Sequence, residues 1–156
     1  EYDQVFRKQQ IRGTVHDQGA ALMGGVAGHA GVFGTAEGVA RMMQVFLDGG
    51  TANGLRFTSA EALNRFTACL ACDQGNRRGL GFDKRQRSGG GPACLCTSTS
   101  SFGHTGFTGT FAWADPETGI VLVFLSNRVF PDASVNKLAQ MGIRTDLQQV
   151  VYSALL

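Results

Sequence analysis

The residues best suited to chemistry lie in one stretch, Ser101-Phe102-Gly103-His104-Thr105-Gly106-Phe107-Thr108-Gly109. An imidazole and a hydroxyl follow each other in a segment that is otherwise strand-like, and three glycines interrupt it. Glycine weakens a strand unless another backbone or a ligand must come close. A ligand lying along such an edge would accept backbone N–H bonds, with His104 and Thr105 as polar handles. The plainer alternative is a strand that carries a half-exposed histidine.

Other candidates are weaker. His16-Asp17 is read first as a turn-stabilising pair and second as a pair near a cleft. His29, set among glycines and alanines, is expected to be buried and hydrogen-bonded to backbone. Arg77, Arg78, Lys84, Arg85 and Arg87 make a basic stretch with Phe82 as its one aromatic. It is read as a solvated loop, and no nucleic-acid partner is expected. The cysteines form Cys69-x-x-Cys72 and Cys94-x-Cys96. Disulfides, free thiols and a four-thiolate zinc site all remain open, and three pairings are possible. With no histidine near either pair, no metal and no cofactor are expected.

These residues need a scaffold. Residues 1–34 read as an irregular, glycine-rich loop. Thr35 suits an N-cap, with Glu37 in the first turn. Val39, Met42, Met43, Phe46 and Leu47 follow at helical spacing, and Gly49-Gly50 ends the helix. Thr58-Ser59-Ala60-Glu61 reads as a capping box for a short helix through Leu63 and Phe66. Most of Cys69–Ser101 reads as loop, with a brief strand at Gly79–Phe82. Phe102–Phe107, Thr110–Ala114 and Ile120–Ser126 read as three strands of an antiparallel meander. Asp115–Gly119 forms the second hairpin, and Gly119 suits positive φ. Ile120–Ser126 is almost wholly apolar and is expected to be a central strand covered on both faces. After Pro131, Ser134 is expected to cap a final helical region broken at Gly142. Ile143, Leu147, Val150, Val151 and Ala154 would form its buried stripe. The fold class is therefore α+β, a three-stranded antiparallel sheet with helices packed on it.

Bulk composition supports one ordinary domain. The chain has 156 residues, 43% hydrophobic and 17% charged, with a net charge of +2, which argues against disorder and against a polyanion partner. Its 22 glycines, about twice the usual share, have no fixed period, so collagen-like and repeat architectures do not fit. No apolar run approaches the roughly 18 residues of a membrane span.

His104-Thr105-Gly106 resembles the Lys-Thr-Gly strand motif of penicillin-binding proteins and class C β-lactamases, and a His form of that motif occurs in related esterases and peptidases. The resemblance runs along the whole chain in family order. It takes in Gly13-Thr14-Val15-His16-Asp17, Gly24 to Gly31 with Thr35-Ala36, Gly103–Thr110, Trp113-x-Asp115-Pro116, and Phe124-Leu125-Ser126-Asn127-Arg128. The chain looks most like the β-lactamase-like domain found behind a family-three glycoside hydrolase (β-N-acetylglucosaminidase) in Bacteroidetes-type proteins.

The resemblance implies a partial β-lactamase/transpeptidase-like fold and acyl transfer on an amide or ester in the cell envelope or periplasm. The substrate would be a peptide, an ester or a β-lactam. The strand at His104, Thr105 and Gly106 would border the cleft, with Thr105 bonding a substrate carboxylate and the Phe107 backbone N–H serving as an oxyanion donor. His104 stands where the family has lysine, so its charge is conditional rather than fixed. The family nucleophile is the serine of Ser-x-x-Lys, with a tyrosine from a later motif. The one such string here, Ser134-Val135-Asn136-Lys137, follows the His-Thr-Gly strand, the reverse of family order, and is read as a helix cap.

Residues 1–156 are accordingly expected to be the C-terminal portion of one domain cut from a longer protein. Its partner would be the missing N-terminal half, and alone it would be inactive. Exposed apolar surface would favour a homodimer. The alternative reading is a non-catalytic module that binds peptidoglycan or packs on a neighbouring glycosidase domain.

Overall fold

The computed structural model describes residues 1–155. A two-stranded ribbon, β1 (Tyr2–Asp3) with β2 (Gln9–Gln10), opens the chain, followed by a one-turn helix, α1 (Gln18–Leu22). Both fall inside the segment expected to be irregular. Each is held by an aspartate: Asp3 accepts from the amides of Val5, Phe6 and Arg7, and Asp17 caps α1 through the Ala20 amide. The Phe6 amide and the Arg7 guanidinium hold Asp3 well below the usual carboxylate range, and the Ala20 amide and His29 do the same for Asp17.

Helix α2 (Ala36–Leu47) starts at Thr35, whose hydroxyl accepts from the Gly38 amide, as the spacing predicts. A hairpin, β3 (Thr51–Ala52) with β4 (Leu55–Arg56), leads to α3 (Ala60–Thr67). Ser59 caps α3 by accepting from Ala62. Glu61 is thus the second helical residue, one position short of a capping box based on Thr58.

The main sheet has four strands rather than three, in the order β5 (Asp83–Lys84), β6 (Phe102–Thr105), β7 (Phe111–Asp115), β8 (Ile120–Phe124). The expected antiparallel meander is β6–β8, with Phe102 opposite Ala114 and Trp113 opposite Leu122. The additional strand sits just past the expected Gly79–Phe82 position. There Gly79 has no room for a Cβ, whose position is 2.6 Å from the Ala68 carbonyl oxygen. Strand β8 is a sheet edge, not a central strand. Its apolar side chains are half-buried on both faces, while its outer backbone edge pairs with no described strand. Gly119 adopts φ +70° and its amide bonds the Asp115 carbonyl, closing the β7–β8 turn.

Side-chain alternation divides the core in two. On one face Phe102, Ala114 and Val121 meet Met43, Phe46 and Leu47 of α2, with Phe82 completing an aromatic trio. On the other face Phe111 and Trp113 stack with centroids 5.8 Å apart and pack on Ala93, Leu122 and Phe124.

The C-terminal region differs most from expectation. Asn136, not Ser134, caps α4 (Lys137–Gln140), while the Ser134 amide and hydroxyl both bond the Asp132 carboxylate. The Ser134 amide, more than its hydroxyl, holds that carboxylate below its usual range. Helix α5 (Ile143–Leu155) does follow Gly142. Its most inward residues are Arg144, Gln148 and Tyr152, each four apart and each hydrogen-bonded; of the expected apolar stripe Ile143 and Val151 are half-buried, whereas Leu147, Val150 and Ala154 are exposed. Arg144 donates to the Gly106 and Thr110 carbonyls, Gln148 accepts from the Cys94 amide, and Tyr152 donates to Asp115.

Both cysteine pairs are disulfides, Cys69–Cys72 and Cys94–Cys96, which removes the zinc and free-thiol alternatives. No described helix is long and apolar enough to cross a membrane.

Candidate functional site

Strand β6 places His104 and Thr105 at its end, with Gly106 just beyond it: His104 is exposed, and Thr105 and Gly106 are half-buried. The glycines that make the segment look odd are accounted for by the chain itself. A Cβ on Gly103 would collide with the Trp113 ring and the Ala112 carbonyl, and one on Gly106 would collide with the Thr110 hydroxyl. Gly109 has φ +115°, and a Cβ there would sit 2.5 Å from Ser126 Oγ. These are internal close approaches, so the glycines do not by themselves speak for a ligand.

The His104 ring is held at both nitrogens. Arg78 Nη1 lies 2.7 Å from Nε2, and Nδ1 lies 2.8 Å from the Thr105 carbonyl oxygen. Arginine only donates and a carbonyl only accepts. Nε2 is therefore the acceptor and Nδ1 carries the proton, which makes the imidazole neutral in this arrangement. Arg78 is in turn held by Asp83, with Nε 2.8 Å from Oδ1, and Asp83 is 1% exposed. Arg77 Nε stands 3.7 Å from the same oxygen. Asp83 is carried next to the motif because it pairs with Gly103 across β5 and β6.

Beyond β6 the chain turns tightly. The Gly106 amide bonds the Thr110 carbonyl, and the Gly109 amide bonds the Gly106 carbonyl. Arg128 Nε donates to the Phe107 carbonyl at 2.6 Å, and its guanidinium lies 4.0 Å from the Phe107 ring centroid, a cation–π contact. The His16 ring stands 5.4 Å away from Phe107, and Arg7 holds the backbone of Val15 and His16. The Gly106–Phe107 peptide is held at its Gly106 carbonyl by the Gly109 amide and Arg144, the following carbonyl by Arg128, and the Phe107 N–H has no partner among the described residues. Burial lowers the Arg144 pKa, and Arg128 nearby adds to this. Neither guanidinium has a carboxylate partner among the described residues.

A second polar cluster lies behind β6. Buried Asp115 accepts from the Ser98 amide and hydroxyl, the Glu117 amide and Tyr152. Burial pushes its carboxyl up, but these donors outweigh that and hold it below the usual range. Buried Lys84 donates to the Ser100 carbonyl, and its pKa is pushed down to about 8 by burial, with Asp115 countering. Ser101 is fully buried and its hydroxyl donates to the Ser98 carbonyl, so it is no nucleophile.

Of the other candidates, His16 is part-buried, pairs with the Glu1 carboxylate and stands beside Phe107, while Asp17 serves as a cap. His29 is exposed and bonds the Asp17 carboxylate, contrary to the expected buried contact with backbone. The sequence reading missed the Arg78–Asp83 pair and the roles of Arg128 and Arg144. Arg78 lies in the basic stretch, which the sequence presents as a solvated loop, so nothing local singled it out.

Comparison with known proteins agrees with the architecture. Residues 3–143 match the family model described as Beta-lactamase. Putative D-alanyl-D-alanine carboxypeptidases from Salmonella gallinarum and Escherichia coli K12 are 36% and 35% identical to this chain over 125 residues, 79% of its length. The match takes in 28% of each of those proteins, so the chain spans little more than a quarter of these relatives. A crystal structure of a beta-lactamase from Mycobacterium bovis is similar with a TM-score of 0.58 and 26% identity, covering 81% of this chain and 47% of that one. With its sheet, its His-Thr-Gly strand and a family match over nearly all its length, the chain belongs to the beta-lactamase family.

Proposed function

We propose that this chain supplies one wall of the substrate cleft of a serine hydrolase that works outside the cytoplasm on cell-wall peptides ending in D-alanine, or on related esters and β-lactams. The observation that carries the reading is the fixed Gly106–Phe107 peptide at the end of the His-Thr-Gly strand. Its carbonyl, on Gly106, accepts from the Gly109 amide and from Arg144, Arg128 holds the next carbonyl, and its N–H, on Phe107, is left without a partner among the described residues. Such a donor, oriented before reaction, stabilises charge that develops on an attacked carbonyl oxygen. The names of the similar carboxypeptidases support the substrate class. In the proposed parent protein, the nucleophilic serine, its lysine and a second oxyanion donor come from a Ser-x-x-Lys segment upstream, and a family-three glycoside hydrolase lies further upstream still. Within this chain Ser134 bonds Asp132 and sits in a loop before α4, which offers no activated hydroxyl.

The chain alone is therefore catalytically silent in this reading. Incubation with a β-lactam or a fluorophosphonate, followed by intact-mass spectrometry, is expected to leave the mass unchanged, with no turnover of a chromogenic cephalosporin. A stoichiometric adduct, above all on Ser101 or Ser134, would show the active centre to lie elsewhere. The parent reading frame tests the rest. Absence of an upstream Ser-x-x-Lys would turn the interpretation towards a non-catalytic binding module.

A further inference from the structure

We infer that Arg78 is the fixed cation of the β6 edge, a specificity-determining residue that binds the carboxylate of an acidic or carboxylate-terminated ligand. His104 acts as its neutral positioning partner. The inference rests on the reading of β6 as a cleft wall.

The hydrogen bonds assign the charge. His104 accepts from Arg78 at Nε2 and donates to the Thr105 carbonyl from Nδ1, so both nitrogens are in use and the ring carries no net charge. The positive charge at this edge belongs to the guanidinium. Arg78 is fixed from several sides: its Nε meets buried Asp83, its backbone amide bonds the Asn76 side chain, and it forms an isolated bridge with Asp83. Its side chain is nevertheless 52% exposed. Of the five N–H donors of a guanidinium, those on Nη2 have no partner among the described residues. An immobilised, half-exposed guanidinium with a free edge suits a planar carboxylate better than a mobile ammonium does.

The wider charge balance agrees. The charged groups around His104 are Arg78, with Asp83 and Arg77 behind it, and Asp83 offsets only one of the two arginines. Arg128 and Arg144 add positive charge around the turn that follows. The Thr105 hydroxyl, one residue on from His104, has no partner among the described residues and gives the ligand a second polar contact.

The test is a titration of the 15N-labelled chain with N-acetyl-D-alanyl-D-alanine and with its C-terminal amide, at pH 6 and pH 8. Wild type is expected to show saturable shifts of the Thr105–Phe107 amides and of Arg78 Nε–H, with the carboxylate form preferred about tenfold, a difference of about 1.4 kcal/mol. That preference should persist at pH 8, because a guanidinium stays charged there. Arg78→Gln should bring the preference close to unity. His104→Gln, whose side-chain oxygen still accepts from Arg78, should keep most of it, and Arg78→Lys part of it. Amide dispersion in each variant checks that the sheet is intact, and Arg78→Lys carries the test if Arg78→Gln fails to fold. An unchanged preference in Arg78→Gln, or a wild-type preference that collapses between pH 6 and pH 8 as an imidazolium would dictate, overturns the assignment. If neither form of the dipeptide moves any β6 amide, the cleft-wall reading fails first and the assignment falls with it.

Discussion

A methyl group added at Gly103 would enter space held by the Trp113 ring and the Ala112 carbonyl. The ring belongs to the stacked Phe111–Trp113 pair and is 1% exposed, and the carbonyl is part of the β6–β7 ladder, so neither neighbour can yield cheaply. Overpacking of this kind costs about 1–3 kcal/mol. Gly103→Ala is expected to fall at the upper end of that range in urea denaturation, while the same change at open Gly119 should act mainly through its φ of +70°. A loss below about 0.5 kcal/mol at Gly103 would mean that the sheet accommodates the methyl by sliding. His104 was legible as a chemical residue because motif and neighbours are contiguous. Arg78 was not, because it reaches His104 from 26 residues away through a strand of two residues, too short to leave any period in the sequence.

At the scale of elements, the Lys84–Asp115–Tyr152 cluster joins β5, the end of β7 and α5, and its titration sets a stability profile. Lys84 in the folded chain titrates at about 8 against its ordinary 10.5. Between those values the unfolded chain binds a proton that the folded chain lacks, so stability rises with pH through that window, by about 3 kcal/mol in all. Burial and the bond to Asp115 push Tyr152 up. The folded chain then keeps a proton that the unfolded one loses above about pH 10, and stability falls again. Asp115, held below its usual range, contributes stability that disappears as pH drops below about 4. Urea midpoints at pH 7, 9 and 10 should rise for wild type and stay flat for Lys84→Met. A wild-type profile as flat as the variant's would place the Lys84 ammonium in water. Helix α2 and the β6–β8 meander were legible because their apolar periods match what they bury. The contacts of α5 were not, since its most buried positions are hydrogen-bonding residues while Leu147, Val150 and Leu155 face outward.

At the scale of the molecule, apolar side chains remain in solvent at Leu22, Met23, Val26, Val32 and Phe33 along the N-terminal segment, and at Leu147, Val150 and Leu155 on α5. Strand β8 adds an unpaired backbone edge among the described residues. At about 25 cal/mol per Å², a few hundred Å² of such surface is enough to drive association, and an unpaired edge offers a template for it. The isolated chain is expected to form dimers by light scattering as its concentration rises. The double variant Leu147→Lys, Val150→Lys should weaken association without lowering the urea midpoint, and unchanged association would move the interface to β8 or to the N-terminal segment. That expectation follows from the way α5 is docked. Its grip on the rest of the chain comes from directional bonds by Arg144, Gln148 and Tyr152, so its tolerance to substitution runs opposite to that of an ordinary amphipathic helix. Charge is acceptable where the helix is greasy, and loss of a single polar atom is felt where it is not.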